Sequence, residues 1–431
     1  MKNLKGKKLL VLGGAFQHCK VVEVAKKLGV IVYVTDYLSP EEAPAKQIAD
    51  KYYMHNITDI DEIVKMCKEE NIDGILATHL DACQLPYQKI CERLGLPCFG
   101  NEEQFRYLTD KKSFKKICIE NGVDVIPSYT VSDFESKEIC DKNVEFPILI
   151  KPAMSRGSRG QTICNCYDEV KEAINFALSE SGTCEVVIEK YMGNKNDFSM
   201  SYVMINGEAC LTRTGNRYLG SREDKMDKLA IAGVSPSAFT DLYINKVDQR
   251  VVNMLKNIGL KTAPVFMQGF VDGDTVRFYD PGLRFPGIEY ESMYQAAVGI
   301  NPILPLIEFA LTGSVSEEFL AMKNTAMLNG KIAVDLLVAI KPGTIKAIRG
   351  LEKIRENPSV VSVFTKYKEG DTVGEHYNVN QRFCEIDVVC PDMKEMKDTI
   401  EWIYDTLYIE NEDGENMVFA KLDTNNLISE V

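Results

Sequence analysis

The chain has 431 residues, of which 45% are hydrophobic and 26% charged, and its formal net charge is −13. Such a length calls for about two to four modules, and the composition is that of a globular chain rather than a disordered one. The acidic excess excludes a general nucleic-acid or anionic-membrane binder, and no apolar run reaches the ~20 residues of a membrane span.

The opening, Met1 to Leu10, sets charges against a short apolar run that stops at Gly13, without the pattern of a signal peptide. A cytoplasmic protein is expected. Lys8–Leu12 reads as a buried strand ending in Gly13-Gly14, and Val21, Val22, Val24, Ala25 and Leu28 mark a helix that Gly29 stops. Val30–Thr35 is a second strand, ending at Asp36; Ile60–Glu70 is a helix and Gly74–Ala77 a third strand. A helix over Leu85–Leu94 ends at Gly95. Such alternation predicts a parallel sheet with helices on both faces, whose sites lie at the strands' carboxyl ends. Gly13, Gly14, Asp36, Thr78, His79 and Asp81 therefore gather at one edge. Gly13-Gly14 with Asp36 is only part of a dinucleotide fingerprint, because the later glycine is missing. His79 stands where a substrate-lining residue would, and Asp81 where a helix cap would.

The thirteen cysteines are irregularly spaced, Cys164-x-Cys166 being the tightest pair, and only four histidines accompany them. No structural zinc site is expected from that pattern, and the cysteines read as small buried hydrophobes in a reducing compartment.

Asp110-Lys111-Lys112-Ser113 opens a helix ending at Asn121-Gly122. The strand Phe146–Lys151-Pro152 then leads into Ala153-Met154-Ser155-Arg156-Gly157-Ser158-Arg159-Gly160. A loop of Gly, Ser and Arg offers backbone N–H groups and guanidinium forks to a polyphosphate. Lys151 at the strand end reaches the same phosphates as a point charge. The lysine precedes the glycines, so this is not a P-loop.

Five pieces in order resemble the ATP-grasp superfamily, which includes biotin carboxylase, carbamoyl phosphate synthetase, D-alanine–D-alanine ligase and the L-amino-acid ligases. They are Gly95-Leu96-Pro97 with Phe99-Gly100; Asp110-Lys111; Lys151-Pro152 before the lid Ser155–Gly160; Glu185–Gly193; and Arg277–Gly287. Together they span roughly residues 1–310. The resemblance implies that Lys111 and Lys151 contact the ATP phosphates, and that Ser155, Gly157, Ser158 and Gly160 cover them. It implies that Glu189 accepts from the adenine amino group, that backbone atoms of Lys190, Tyr191 and Met192 complete the adenine edge, and that Asp197 holds the ribose hydroxyls.

At the metal strand the chain departs from the family. Gln268 takes the place of a first acid, Asp280 that of a second, and Gly282 that of an asparagine. Mg²⁺ prefers oxygen ligands and keeps waters readily, so one ion held by Asp280, Gln268 and the phosphates is expected. Glu289 and Glu291 lie just downstream. Arg284-Phe285-Pro286-Gly287 resembles the Arg-Phe-x-Gly of L-amino-acid ligases, which implies that Arg284 faces the carboxylate or its acyl phosphate and that Gly287 leaves room for substrate. Arg213 and Arg217 either enter the same cleft or line a solvated edge.

The expected fold is α/β and α+β: an N-terminal Rossmann-like parallel-sheet domain (1–100), a linker helix and lid subdomain (101–190), an antiparallel-sheet catalytic subdomain (191–330) and a small C-terminal α+β domain (331–431). No catalytic cluster stands out in the last. The implied activity is an ATP- and Mg²⁺-dependent ligase with Arg284, Lys151 and Asp280 catalytic, joining a small-molecule carboxylate to an amine and acting as a homodimer. A bicarbonate-activating relative and a catalytically weakened nucleotide-binding protein are the alternatives.

Overall fold

The computed structural model describes residues 1–152, 161–180, 185–193, 197–220, 229–375 and 379–427. The lid residues Ser155, Gly157, Ser158 and Gly160 lie outside them.

Strands β1 (Lys8–Leu12), β2 (Ile31–Thr35), β3 (Lys51–Tyr53) and β4 (Gly74–Leu76) form an all-parallel sheet in the order β3-β2-β1-β4. Leu9 to Leu12 are fully buried, as a strand covered on both faces requires. The helix Phe16–Lys27 follows β1, and Gly29 at φ +74° turns the chain into β2. The helix after β4 spans Asp81–Leu94, four residues longer at its start than its apolar pattern indicates. Asp81 is therefore its first residue rather than its cap, and the Asp81 carboxylate is spent elsewhere.

Asp110 accepts from the Ser113 N–H at 2.7 Å and so caps the helix Lys111–Glu120. Beyond it, β5 (Ser128–Tyr129), β6 (Ile148–Pro152), β7 (Thr162–Cys164) and β8 (Val186–Lys190) make an antiparallel sheet ordered β5-β8-β6-β7.

The largest sheet is built from β9 (Asp197–Ile205), β10 (Glu208–Leu219), β11 (Ala230–Ser235), β12 (Ala263–Asp272), β13 (Thr275–Gly282) and β14 (Ile332–Ile340). Short strands β15 (Gly343–Thr344) and β16 (Ala347–Arg349) come next, then β17 (Val360–Thr365), β18 (Thr372–Val373) and β19 (Arg382–Cys390). Among the described residues the large sheet runs β13-β12-β9-β10-β11-β14-β19-β17. The C-terminal strands β14, β19 and β17 thus continue the sheet that β9–β13 begin; β11 pairs with β14 through Gly233↔Asp335 and Val234↔Val334. The helix Met393–Thr406, capped by Asp392 to the Glu395 N–H, packs on β19 and β14. One continuous apolar cluster joins the parallel sheet, the helix Lys111–Glu120 and strands β9, β10, β12 and β13, and a second underlies β11, β14, β17 and β19.

Candidate functional site

On the lid side, Glu189 of β8 is the hub. Its Oε2 takes Lys151 Nζ at 2.8 Å and its Oε1 takes Lys115 Nζ at 2.5 Å. Burial alone would push this carboxyl up; the two ammonium groups outweigh it and hold Glu189 below the usual carboxylate range. Lys115 was not singled out by motif, yet it stands four residues after Lys111, a spacing that sets both on one helix face.

Both oxygens of Glu189, expected to meet an adenine amino group, are thus engaged by lysines. The Lys190 and Tyr191 N–H groups donate to the Pro127 and Pro147 carbonyls, and Lys190 Nζ pairs with Glu145 at 2.8 Å. These two amides therefore belong to the fold. Met192 is half-buried beside them.

Lys111 crosses from its helix to β13, where Nζ meets Asp280 Oδ1 at 2.9 Å. Asp280 stands directly opposite Gln268 in the β13–β12 ladder, and Gln268 opposite Ser199 of β9. Cross-strand partners share a sheet face, so Asp280, Gln268 and Ser199 form one polar row. That donor set, one carboxylate and one amide oxygen with room for phosphate oxygens, suits a single Mg²⁺. At Gly282 an added Cβ would lie 2.9 Å from Arg284 Cγ. A side-chain ligand there requires the arginine to move.

Asp197, two residues before Ser199, lies on the same face and is buried, with Oδ2 held by Arg217 Nη2 at 2.6 Å and Nε at 3.1 Å. Its Oδ1 has no partner among the described residues. Burial raises this carboxyl despite Arg217. Arg213, also on β10, donates Nη1 to Ser199 Oγ at 2.8 Å and lies over Gly215, where a Cβ would collide with it. Both arginines are on the inner face, not on a solvated edge.

Arg284 is buried and grips the exposed carboxylate of Asp81 with Nε at 2.5 Å and Nη2 at 2.9 Å, while its Nη1 donates to the Phe285 carbonyl. Its guanidinium carbon sits 5.4 Å from the Phe266 ring centre. The N-terminal domain thus positions this arginine through a two-toothed ion pair. Gly287 accepts from Gln17 Nε2 at 2.6 Å, and a Cβ added at Gly287 would meet nothing within 4 Å. His79 is fully buried, bonded to Thr78 Oγ1 at 2.8 Å and to Glu291 Oε1 at 2.9 Å. Burial, opposed by Glu289 and assisted by Arg284, lowers it to about 3, so the ring is neutral. Glu291 Oε1 is committed to His79, while the Glu289 N–H donates to Glu385 Oε1 and Glu289 Oε1 accepts from the Ser292 N–H. Neither joins the Asp280–Gln268 row.

Comparison with known proteins follows the same geography. Residues 110–279 match the family described as carbamoyl-phosphate synthase L chain, ATP binding domain. Residues 9–85 match the PylC-like N-terminal domain and 336–412 the L-amino acid ligase C-terminal domain 2. A formate-dependent phosphoribosylglycinamide formyltransferase of Sulfurisphaera tokodaii is 26% identical over 273 residues, 61% of this chain and 67% of that protein; for further formyltransferases the matched share is about half their length. In structure, phosphoribosylglycinamide synthetase from Anaerococcus prevotii aligns over 94% of this chain and 100% of its own, with a TM-score of 0.78 at 18% identity. L-amino acid ligase from Bacillus licheniformis aligns over 95% and 99%, with a TM-score of 0.74 at 17% identity. The fold, the order of its domains and the matched families agree in their likeness to the ATP-grasp superfamily of ATP-dependent ligases.

Proposed function

We propose that the chain activates a small-molecule carboxylate with ATP, releases ADP, and passes the acyl group to an amine. The observation that carries this reading is the ion pair of Lys111 with Asp280 at 2.9 Å. It brings a helix-borne phosphate lysine and the metal-strand acid into one contact, on the sheet face that also carries Gln268 and Asp197.

In this reading Lys111, Lys115 and Lys151 exchange carboxylate partners for phosphate oxygens, each a charge-assisted contact. Asp197 Oδ1, the orphaned acceptor, takes a ribose hydroxyl. Asp280 and Gln268 would hold Mg²⁺, which supplies charge neutralisation on the transferring phosphoryl group. The substrate carboxylate oxygen attacks the γ-phosphorus as the bond to ADP breaks. Arg284, preset by Asp81, lies where a guanidinium stabilises charge on the acyl phosphate. The neutral amine then forms the C–N bond, inorganic phosphate leaves, and the nitrogen's surplus proton passes to a neighbouring carboxylate or water. The enzyme supplies position and electrostatics, with no covalent adduct. We place the reaction in the cytoplasm, in keeping with the free thiols of the twelve described cysteines, and take a homodimer as the working assembly, checked by light scattering.

The test is ADP release with ATP, Mg²⁺ and pairs of acids and amines, bicarbonate included, with hydroxylamine added in place of the amine. A hydroxamate formed from the productive acid demonstrates the acyl phosphate. ADP release that depends on no acid, or none at all beside tight ATP binding, would refute the reading.

A further inference from the structure

A second polar assembly lies at the other end of the same sheet face. Asp335 of β14 is the register partner of Asp387 of β19, and Glu385 shares their face two residues along. Gly233 of β11 leaves the space that the Asp335 carboxylate fills, since a Cβ there would lie 2.5 Å from Oδ1. From above, Glu289 and Glu291 close over them, the Glu289 N–H donating to Glu385 Oε1 at 2.9 Å. All five carboxylates are less than a tenth exposed.

Their cationic company is thin. Arg213 approaches Asp335 only to 3.8 Å, and Arg382 spends Nη2 on the Ala230 carbonyl. Both histidines near the assembly, His79 and His18, are held neutral by burial. Five acids against two arginines and Lys20, whose charge acts on Glu289 and Glu291, leave an excess of two if all are ionised, an arrangement that costs heavily without further cations.

Independent of the acids, two polar side chains of the N-terminal helix are buried with atoms unmatched among the described residues. Gln17 is anchored through Nε2 to the Gly287 carbonyl, and its buried Oε1 has no partner among the described residues. His18 is wholly buried, lies edge-on to His79 at 5.5 Å, and has both ring nitrogens unpartnered among the described residues. Oxygens of Glu291, Asp335 and Asp387 are likewise unmatched among the described residues. Against them stand the unmatched Nε–H groups of Arg213 and Arg382 and the one N–H of neutral His18, so among the described residues unmatched acceptors still outnumber donors, and an ammonium group brings three donors.

We infer that this chamber binds the non-reacting cationic group of the amine substrate, which is therefore a diamine or a basic amino acid. Two features connect the chamber to the chemistry. Arg213 runs from Ser199, in the Asp280–Gln268 row, to Asp335. His79 links Glu291 to the Arg284 segment, its ring 5.6 Å from Phe285. An amine that attacks an acyl phosphate does so as the neutral base, so the cation held by the acids is a second group on the same molecule. The identity of the reaction rests on the ligase reading; the binding does not.

Calorimetry without ATP separates the two. Putrescine, cadaverine, L-ornithine and L-lysine are titrated into the full chain beside their one-ammonium counterparts butylamine, pentylamine, L-norvaline and L-norleucine. At least one two-cation probe binds ten-fold or more tighter than its counterpart, and Asp387→Asn or Glu291→Gln removes that preference while the melting profile shows a folded protein. Equal binding within every pair, or no binding at all, overturns the inference, as does a preference that survives both variants. Binding with the preference but no ADP release in any acid–amine pair leaves the chamber standing and sinks the ligase; turnover that accepts neutral side chains equally does the reverse.

Discussion

The lid-side lysine cluster and the β14–β19 acid chamber are both charged, and they solve the problem of buried charge in opposite ways. Around Glu189 each oxygen has an ammonium at 2.5–2.8 Å, and the lysines remain partly exposed. The network is complete in the resting protein, and its lysines can change partner from carboxylate to phosphate. In the chamber the acids are buried, the arginines stand off, and several oxygens have no partner among the described residues. In the reading proposed above, the first cluster receives an anion and the second a cation, as a cleft joining nucleotide-activated acid to amine demands.

The largest effect expected lies between them, at Asp280. Asp280→Asn removes the one carboxylate of the Gln268–Asp280 pair and should lower kcat by roughly 10²–10³-fold, the scale of losing one transition-state charge stabiliser. ATP affinity should change far less, because adenine and ribose are held elsewhere. Steady-state kinetics with nucleotide binding measured separately will show this. A variant with near-normal kcat would place the metal on other residues.

The lysine cluster predicts a smaller loss. Lys151→Ala should weaken ATP binding by about 1.5–3 kcal/mol, one to two decades, with Glu189 still neutralised by Lys115. The double variant Lys115→Ala/Lys151→Ala should lose more than the sum of the singles, since it leaves Glu189 buried and facing the phosphates unpaired. Additive losses in nucleotide titrations would show that the two lysines do not share Glu189 in the working state.

How far these clusters were legible in the sequence differs for physical reasons. The strand ends, the caps at Asp110 and Gly29, and the order of Lys111, Lys151, Glu189, Asp280 and Arg284 are local features, and motif order carries them. Lys115 was readable too, by its helical spacing from Lys111. The chamber was not. Asp335, Glu385 and Asp387 are single acids at alternate positions within apolar strand runs, a pattern that signals a polar inner face but not what it meets. Their convergence depends on the Asp335↔Asp387 register, set by pairing 52 residues apart in sequence. The β11–β14 pairing, with Gly233 opposite Asp335, is likewise why a C-terminal region that reads as a separate α+β unit shares a sheet with β9–β13. Gly282 is the converse case: it looks like a lost metal ligand, and the structure shows it giving way to Arg284.

The smallest effect expected is a pH dependence of stability, and it tests the unbalanced side of the comparison. Burial raises Glu291 from 4.5 and Asp335 from 3.8 to about 7, and pushes Glu289, Glu385 and Asp387 the same way. A carboxyl raised by folding keeps its proton in the native state where the unfolded chain has released it. Its contribution therefore favours the fold at low pH and is lost as pH climbs from the ordinary carboxylate value to the raised one. His18 and His79 work in the other direction, because burial lowers both from 6.5 to about 3; they cost stability only as pH falls below 6.5. Above 6.5 the histidines no longer contribute, and the carboxyls alone set the slope. The melting temperature of the ligand-free chain should thus decline by a few degrees from pH 6.5 to 8, and Asp387→Asn should flatten the decline. A two-cation ligand in the chamber would replace the lost protons and stabilise most at pH 8. A melting temperature that holds level or rises across this range would mean that the five acids are already ionised and matched, and that the chamber is balanced after all.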